Sequence, residues 1–476
     1  MTAAIIWFRR DLRLADNPAL IAAAASGPVL PVYLHAPAEE GHWAPGAASR
    51  WWLHHSLTAL RDALDAHGLP LLVLRTDDSL ATLRELTRRT GARHVAWNRL
   101  YEPAAIARDR RIKQALREDG TEVTSHNGAL LFEPWEVRKQ DGGHYKAFTP
   151  FWRALRRIGD PQPPQPVPAM SAPAEVPAGE RIGALDLLPS IAWDRGFYDD
   201  WQPGEQGAQD RLSRFLEQRL HGYDTNRDWP AVDGTSGLSP HLHAGDISPR
   251  QIYAATHEHL AAARAPTDDA ESFLSEIGWR EFAHHLLFHY PDMPEDPLDT
   301  RFRSFPWREE PDEALRAWQA GRTGIPIVDA GMRELWATGW MHNRLRMVVG
   351  SLLTKNLRIP WQRGEAWFWD TLVDADLASN GMGWQWIQGC GADAAPYFRI
   401  FNPVRQGERF DPEGAYVRRW VPELAGLSAK HIHAPWGAPA GELNRAGIRL
   451  GRDYPEPIVD LKVSRQQALE AYQAIR

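Results

Sequence analysis

Five short apolar runs, each rich in β-branched or aromatic residues, recur through the first 126 residues: AAIIWF (3–8), VLPVYL (29–34), PLLVL (70–74), HVAWN (94–98) and TEVTSH (121–126). Between them lie segments of helical periodicity such as SRWWLHHSLTALRDALDAHG and ATLRELTRRTG, several closed by glycine. Strand–helix alternation at this spacing predicts an α/β unit over residues 1–130, a doubly wound, Rossmann-like parallel sheet. No G-x-G-x-x-G follows any of the strands, so the usual dinucleotide fingerprint is absent. This unit can hold a ligand, but its sequence names none.

The pattern then changes. GDPQPPQPVPAMSAPAEVPAG (159–179) is rich in Pro and Ala and should run extended over the surface, within an inter-domain connection spanning 131–204. From residue 205 to 476 the periodicity is helical almost throughout, which predicts an all-α second domain. A chain of 476 residues is too long for one compact core, so two domains are expected. No run of about 18 apolar residues exists to cross a membrane. Arg9, Arg10 and Asp11 follow the first apolar run directly, which reads as a strand rather than a signal peptide, so a cytoplasmic protein is expected. The single cysteine, Cys390, agrees, and it excludes a disulfide framework or an all-cysteine iron–sulfur cluster. A net charge of −7 argues mildly against nucleic acid, although a local basic patch can bind phosphates on an acidic protein. The compositional outlier is tryptophan, 22 residues, mostly past residue 275.

Four constellations in the helical part carry chemistry. DGTSGLS (233–239) can offer backbone N–H and hydroxyl groups to a phosphate, although such loops are as often turns and caps. SEIGWREF (275–282) sets Glu276, Trp279 and Arg280 within about one helical turn, groups able to stack on and hydrogen-bond a flat heterocycle, or to form an internal ion pair. WMHNRLRM (340–347), read as a helix, places Asn343 and Met347 on one face with Arg344 beside them. A core helix would put leucines there and a solvated one would put charges. In DADLASNGMGWQW (374–386), Asp374 and Asp376 cannot both be buried as ions without cationic partners, for which Arg346 and Arg344 are the candidates. Asp-x-Asp also suits a metal, but no clustered carboxylates or histidines complete a shell, so none is expected.

Taken together, WFRRDLRLADNPAL, DGTSGLSPHL, WREF, GIPIVDAGMRELWATGWMHNRLRM, DADLASNGMGWQW and GADAAPYFRIFNPVRQGERFDPEGAYVRRWVPEL resemble the DNA photolyase/cryptochrome family, from residue 5 to about 425. Within it, WMHNRLRM is most similar to the cyclobutane pyrimidine dimer photolyases, because animal-type (6-4) enzymes would show a second histidine where Asn343 stands. The resemblance implies a non-covalent FAD, active in its reduced anionic form and folded into a U within the helical domain. Tyr223, the run Thr235, Ser236, Gly237, Leu238 and Ser239, and Arg280 would hold its phosphates and adenosine side. Asp374, Asp376 and Asn380 would line the isoalloxazine, with Arg346 balancing charge. Glu276, Trp279, Asn343, Met347 and Trp386 would contact the lesion, and Arg227, Arg344 and Gln406 the DNA. Trp384, Trp361 and Trp307 match the family's electron-carrying chain.

The implied activity is light-driven splitting of cyclobutane dimers in ultraviolet-damaged DNA by a monomer with no membrane association. A second, antenna chromophore is also implied, with a deazaflavin, a folate in another pose and an empty site as the alternatives. Two departures bear on this. Gly237 stands where many relatives have Arg, so a phosphate contact must be missing or supplied elsewhere, and Ala104 and Ala105 replace the Asn and Glu of folate-binding relatives. The alternative is a cryptochrome-type photoreceptor with the same fold and FAD but no repair. Against it stand Asn380, where signalling relatives often carry Asp or Cys, and Met347 with Glu276. A plain flavin oxidoreductase would need a nicotinamide site, and none is visible.

Overall fold

The computed structural model describes residues 2–262, 265–309, 312–395 and 397–476. Its strands are β1 (Ala4–Phe8), β2 (Val29–His35), β3 (Leu72–Arg75), β4 (His94–Asn98) and β5 (Glu122–His126). They form one parallel sheet in the order β3-β2-β1-β4-β5, with Ile5 opposite Leu30 on one side and Val95 on the other. The strand sequences are apolar at nearly every position because both faces are covered. Ala4, Ile6 and Phe8 pack against Leu57, Leu60 and Leu64 of the helix Ala47–Ala66. Ile5 and Trp7 pack on the opposite face with Leu83, Leu86, Ile112 and Leu116. This is the doubly wound sheet that the alternation predicts.

The stretch 131–204 is more than a connection. Residues Phe148–Ile158 form a helix whose Phe148, Phe151 and Leu155 join the main core of the helical domain. The chain then turns back: the Pro-rich segment runs without helix or strand along the α/β domain, Ser171 accepting from Val29 N–H at 2.8 Å and Gln165 from Asp16 N–H at 2.7 Å. Val167 and Met170 pack on that domain's core, as does the buried turn Ile182–Leu185. Helix propensity and three apolar side chains at 148, 151 and 155 outweighed the local Pro-rich signal, which begins only at residue 159.

A second difference concerns the long helical pattern from Pro326. It is cut into the helices Pro326–Thr338 and Asn343–Ser351, the latter running into a π-helical turn at Leu352–Asn356. Gly339 closes the first in the left-handed region, and His342 caps the second by accepting the Arg344 N–H at 3.1 Å. WMHNRLRM is therefore half turn and half helix. Asn343 sits at the first helical position with Met347 one turn on.

The two domains lock together through the loop that follows β1. Asp16 accepts from Ser248 Oγ at 2.5 Å and from Arg250 Nε at 3.0 Å, while Glu205 accepts the N–H groups of Leu14 and Ala15. Arg13 donates to the carbonyls of Gly128 and Gly245. Gly245 terminates the short helix Ser239–Ala244 with φ of 74°, and a Cβ there would lie 2.2 Å from the Arg10 carbonyl. Only glycine meets both demands. Gly245→Ala is therefore expected to cost at least about 2 kcal/mol through left-handed strain and overpacking. Because the helix it ends carries Ser239 and His243, the flavin that the family resemblance implies should be retained less well too. Urea unfolding midpoints and absorbance after gel filtration measure the two effects.

Candidate functional site

The helical domain encloses a cavity of about 740 Å³ that opens to solvent. The helix Thr267–His289 gives it Glu276, Trp279 and Arg280, and the helix Asn343–Ser351 gives Asn343, Arg346 and Met347. The helix Leu377–Gln388 gives Asn380, Trp384 and Trp386, and its N-cap is Asp376. The rest of the wall includes Tyr223, Arg227, the loop Thr235–Ser239, His243 and Asp374. Of the residues singled out by sequence, Arg344, Gln406, Trp361 and Trp307 do not line it.

Inside, Arg346 Nη2 lies 2.8 and 3.0 Å from the two Asp374 carboxylate oxygens, and Ser239 Oγ donates to the same carboxylate at 2.6 Å. This pairing agrees with expectation for Arg346. Arg344 is not Asp376's partner: it points outward and binds Asp228 at 2.5 Å. Asp376 instead accepts the Ser379 N–H at 2.8 Å and sits 3.5 Å from His284 and 3.8 Å from His243. Burial alone would raise the Asp376 carboxyl, but these imidazoles and the Arg280 guanidinium hold it well below the usual carboxylate range. Sequence spacing could not reveal this pairing, since both histidines belong to helices distant in the chain. Among the described residues no group of three or more His, Cys, Asp or Glu is arranged to hold a metal.

Arg280 donates to the Ala129 carbonyl at 2.7 Å, so it anchors the chain leaving the sheet as well as facing the cavity. Asn380 donates to the Glu365 carbonyl at 3.1 Å, which fixes its amide at the wall. Glu276 is paired with Arg227 at 2.7 Å near the mouth. Trp279 stacks on Phe148 with centroids 3.8 Å apart and planes within 10°, so the helix in the connecting segment backs this wall. No local motif marks Phe148, and only the tertiary fold brings it there. Trp386 is held by Nε1 donating to the Asp393 carbonyl at 3.1 Å.

His342 is buried and absent from the cavity wall. Burial, reinforced by the Arg344 charge, lowers its imidazole to a pKa of about 4, so it is neutral near pH 7. Arg344 stacks on Phe410 at 4.2 Å, at the end of the helix Pro403–Phe410 that also carries Gln406. These two residues therefore form a rim outside the cavity. Trp384 is buried at the cavity wall against Gly364, one turn along the helix Trp361–Thr371 from the buried Trp361. Trp307 is only partly buried, beside Phe305 at 4.6 Å.

The donor set fits a dinucleotide with a flat ring. A hydroxyl-bearing loop lies at one part of the wall, a charge-balanced Arg346–Asp374 pair and an amide at another, and the volume is within the range of cofactor sites. Residues 273–474 match the family model described as the FAD binding domain of DNA photolyase, and residues 4–171 match that of DNA photolyase. A deoxyribodipyrimidine photo-lyase of Agrobacterium fabrum is 49% identical over 99% of this chain and 98% of its own length. Cryptochrome-1 of Arabidopsis thaliana is 42% identical over 98% of this chain and 70% of its own. The structure of a bacterial class III photolyase from Agrobacterium tumefaciens superposes with a TM-score of 0.96 at 48% identity, covering 100% of this chain and 98% of that one. With a parallel sheet docked on a helical FAD-binding domain, and near-full-length identity to relatives of both kinds, the chain belongs to the DNA photolyase/cryptochrome family.

Proposed function

We propose that this protein splits cyclobutane pyrimidine dimers in ultraviolet-damaged DNA, using light and an FAD held in the cavity. The observation that carries this reading is the make-up of the cavity mouth. Indole walls at Trp279 and Trp386, the polarizable Met347, and two hydrogen-bonding groups at Glu276 and Asn343 suit a flipped-out pyrimidine pair. Deeper in, Tyr223, the loop Thr235–Ser239 and Arg280 would hold the cofactor's phosphates and adenosine, and Asp374, Asp376, Arg346 and Asn380 its ring. A reduced FAD held there would supply the excited-state electron chemistry that splitting the dimer requires. The chain's own residues bind and orient the two partners and exclude water. Glu276 and Asn343 hydrogen-bond the pyrimidine edges, while Arg346 compensates negative charge beside Asp374. A photoreceptor without repair is the alternative, supported by the similarity to plant cryptochromes.

The surface offers room for an antenna pigment. A cleft of about 670 Å³ lies between the helix Ala47–Ala66, residues 183–193 and Trp336. Trp193 and Trp336 meet there with centroids 5.0 Å apart, and Trp336 is 44% exposed, so indole faces are available to a flat ring. The crevice at the carboxyl end of the sheet is filled by Trp7, Arg9 and Arg108 and leaves only about 70 Å³. Ala104 and Ala105 line neither. We assign the antenna, a folate or a deazaflavin, to the Trp193–Trp336 cleft.

Pigments released on denaturation should comprise about one FAD per chain plus a second chromophore. Asp374→Ala should lose FAD, because Arg346 is left without its partner, a change that costs about 3 kcal/mol for a largely buried pair. Trp336→Ala should lose only the second pigment. A colourless protein that takes up no added FAD would sink the whole reading.

Changing Trp384, Trp361 or Trp307 to Phe should slow photoreduction of oxidised flavin and leave repair by pre-reduced protein nearly intact. If the three are only packing residues, each change costs about 1–3 kcal/mol of stability and leaves photoreduction untouched. Transient absorption and thermal melts separate the two outcomes.

Two oligonucleotides, each with one defined lesion, test the activity under near-ultraviolet light with reduced protein. Thymines should be restored from the cyclobutane substrate and not from the (6-4) photoproduct. The latter needs a proton from a histidine, whereas Asn343 has none to give and His342 is buried, neutral and off the wall. Glu276→Ala should lower binding or yield while the flavin stays. Repair of the (6-4) lesion, or none of the cyclobutane dimer, would overturn the assignment.

A further inference from the structure

Arg227 and Asp228 are consecutive, yet they reach opposite sides of the cavity mouth. They close the turn that starts at Tyr223, which is pinned to the helix Thr267–His289 by Asp269 accepting the N–H groups of Gly222 and Asp224 at 2.8 and 2.9 Å. From this fixed turn Arg227 binds Glu276 at 2.7 Å, and Asp228 binds Arg344 Nη2 at 2.5 Å. The Arg344 guanidinium sits over the Phe410 ring, 4.2 Å from its centroid, and its Nε is buried there. A planar cation with one face packed and its Nη2 edge on a half-exposed carboxylate presents the geometry that also pairs with a tetrahedral oxyanion. Asp228 occupies that edge.

We infer that Asp228 is an affinity-setting residue, an internal carboxylate that holds Arg344 where a DNA phosphate would bind and must be displaced before DNA can engage. The inference rests on the reading of the mouth as a DNA interface. Its physical content is competition: each phosphate contact at Arg344 is gained only against the loss of an existing ion pair. The same turn pairs Glu276 with Arg227, so Glu276 and Arg344 each have an ion-pair partner within the chain. Asp228 thereby lowers affinity for all DNA and leaves net binding to the additional contacts that a flipped lesion makes inside the cavity.

The test is a double-mutant cycle on the flavin-loaded protein, with fluorescence anisotropy of an undamaged and a dimer-containing duplex at fixed salt. Asp228→Asn should tighten both by about two- to fivefold, the range of one partly exposed ion pair. In an Arg344→Gln background, which itself weakens binding, Asp228→Asn should change nothing. Asp224→Asn on the same turn removes the same charge without touching Arg344 and should leave affinity close to wild type. Flavin absorbance of each variant reports that the cavity is intact. The inference is overturned by unchanged or weaker binding in Asp228→Asn, by equal tightening in Asp224→Asn, or by an effect that persists without Arg344. If the wild-type protein prefers neither duplex and binds both negligibly, the DNA reading of the mouth falls first.

Discussion

Arg346 and Asp374 meet at 2.8 Å in the wall of the cavity, and three separate stretches of chain depend on that meeting. Arg346 also donates to the Met341 carbonyl, fixing the turn before its own helix, and Asp374 accepts from Ser239, the first residue of the helix that follows the hydroxyl loop. One ion pair thus sets the distance between the wall that carries Asn343 and Met347 and the wall that carries the loop Thr235–Ser239. Asp374 is almost wholly buried while Arg346 keeps partial exposure. Such a pair adds little stability of its own, but losing one member strands a charge. Its value lies in geometry.

The α/β domain matters to the site through support. The loop after β1 places Asp16 under Ser248 and Arg250 and clasps Gly245, so the short helix bearing Ser239 and His243 has a fixed floor. Asp246, wholly buried, gathers Trp52 Nε1, the Gly204 N–H and His241 at 3.0 Å each. The contact between Trp52 and Asp246 joins residues 194 positions apart. Ties of this kind hold the walls of the cavity in fixed relation to one another.

Charge inside the cavity is arranged in two tiers. In the deep tier, Asp374 with Arg346 and Asp376 with His284 and His243, both carboxylates are buried, and the imidazoles beside Asp376 favour its charged form. The outer tier, Glu276 with Arg227 and Asp228 with Arg344, is partly exposed and can exchange partners at modest cost. The first suits permanent holding of a cofactor and the second suits transient binding of a polyanion.

The sequence by itself determined the parallel sheet, because buried strands between amphipathic helices must read as apolar runs alternating with 3.6-residue periods, as AAIIWF and its successors do. It also named most of the cavity wall, since the motifs are long and local: TSGLS, WREF and DADLASN each put their residues on one short element. Tertiary structure alone decided who pairs with whom. Arg344 and Arg346 are two positions apart and point 200° around the helix from each other, so one turns in to Asp374 and the other out to Asp228. Phe148 reached Trp279, and His284 reached Asp376, only because helices far apart in the chain came to share one core. His342 became a helix cap instead of a helical residue because Gly339 had already ended the preceding helix, and its burial there follows from packing that no local pattern encodes.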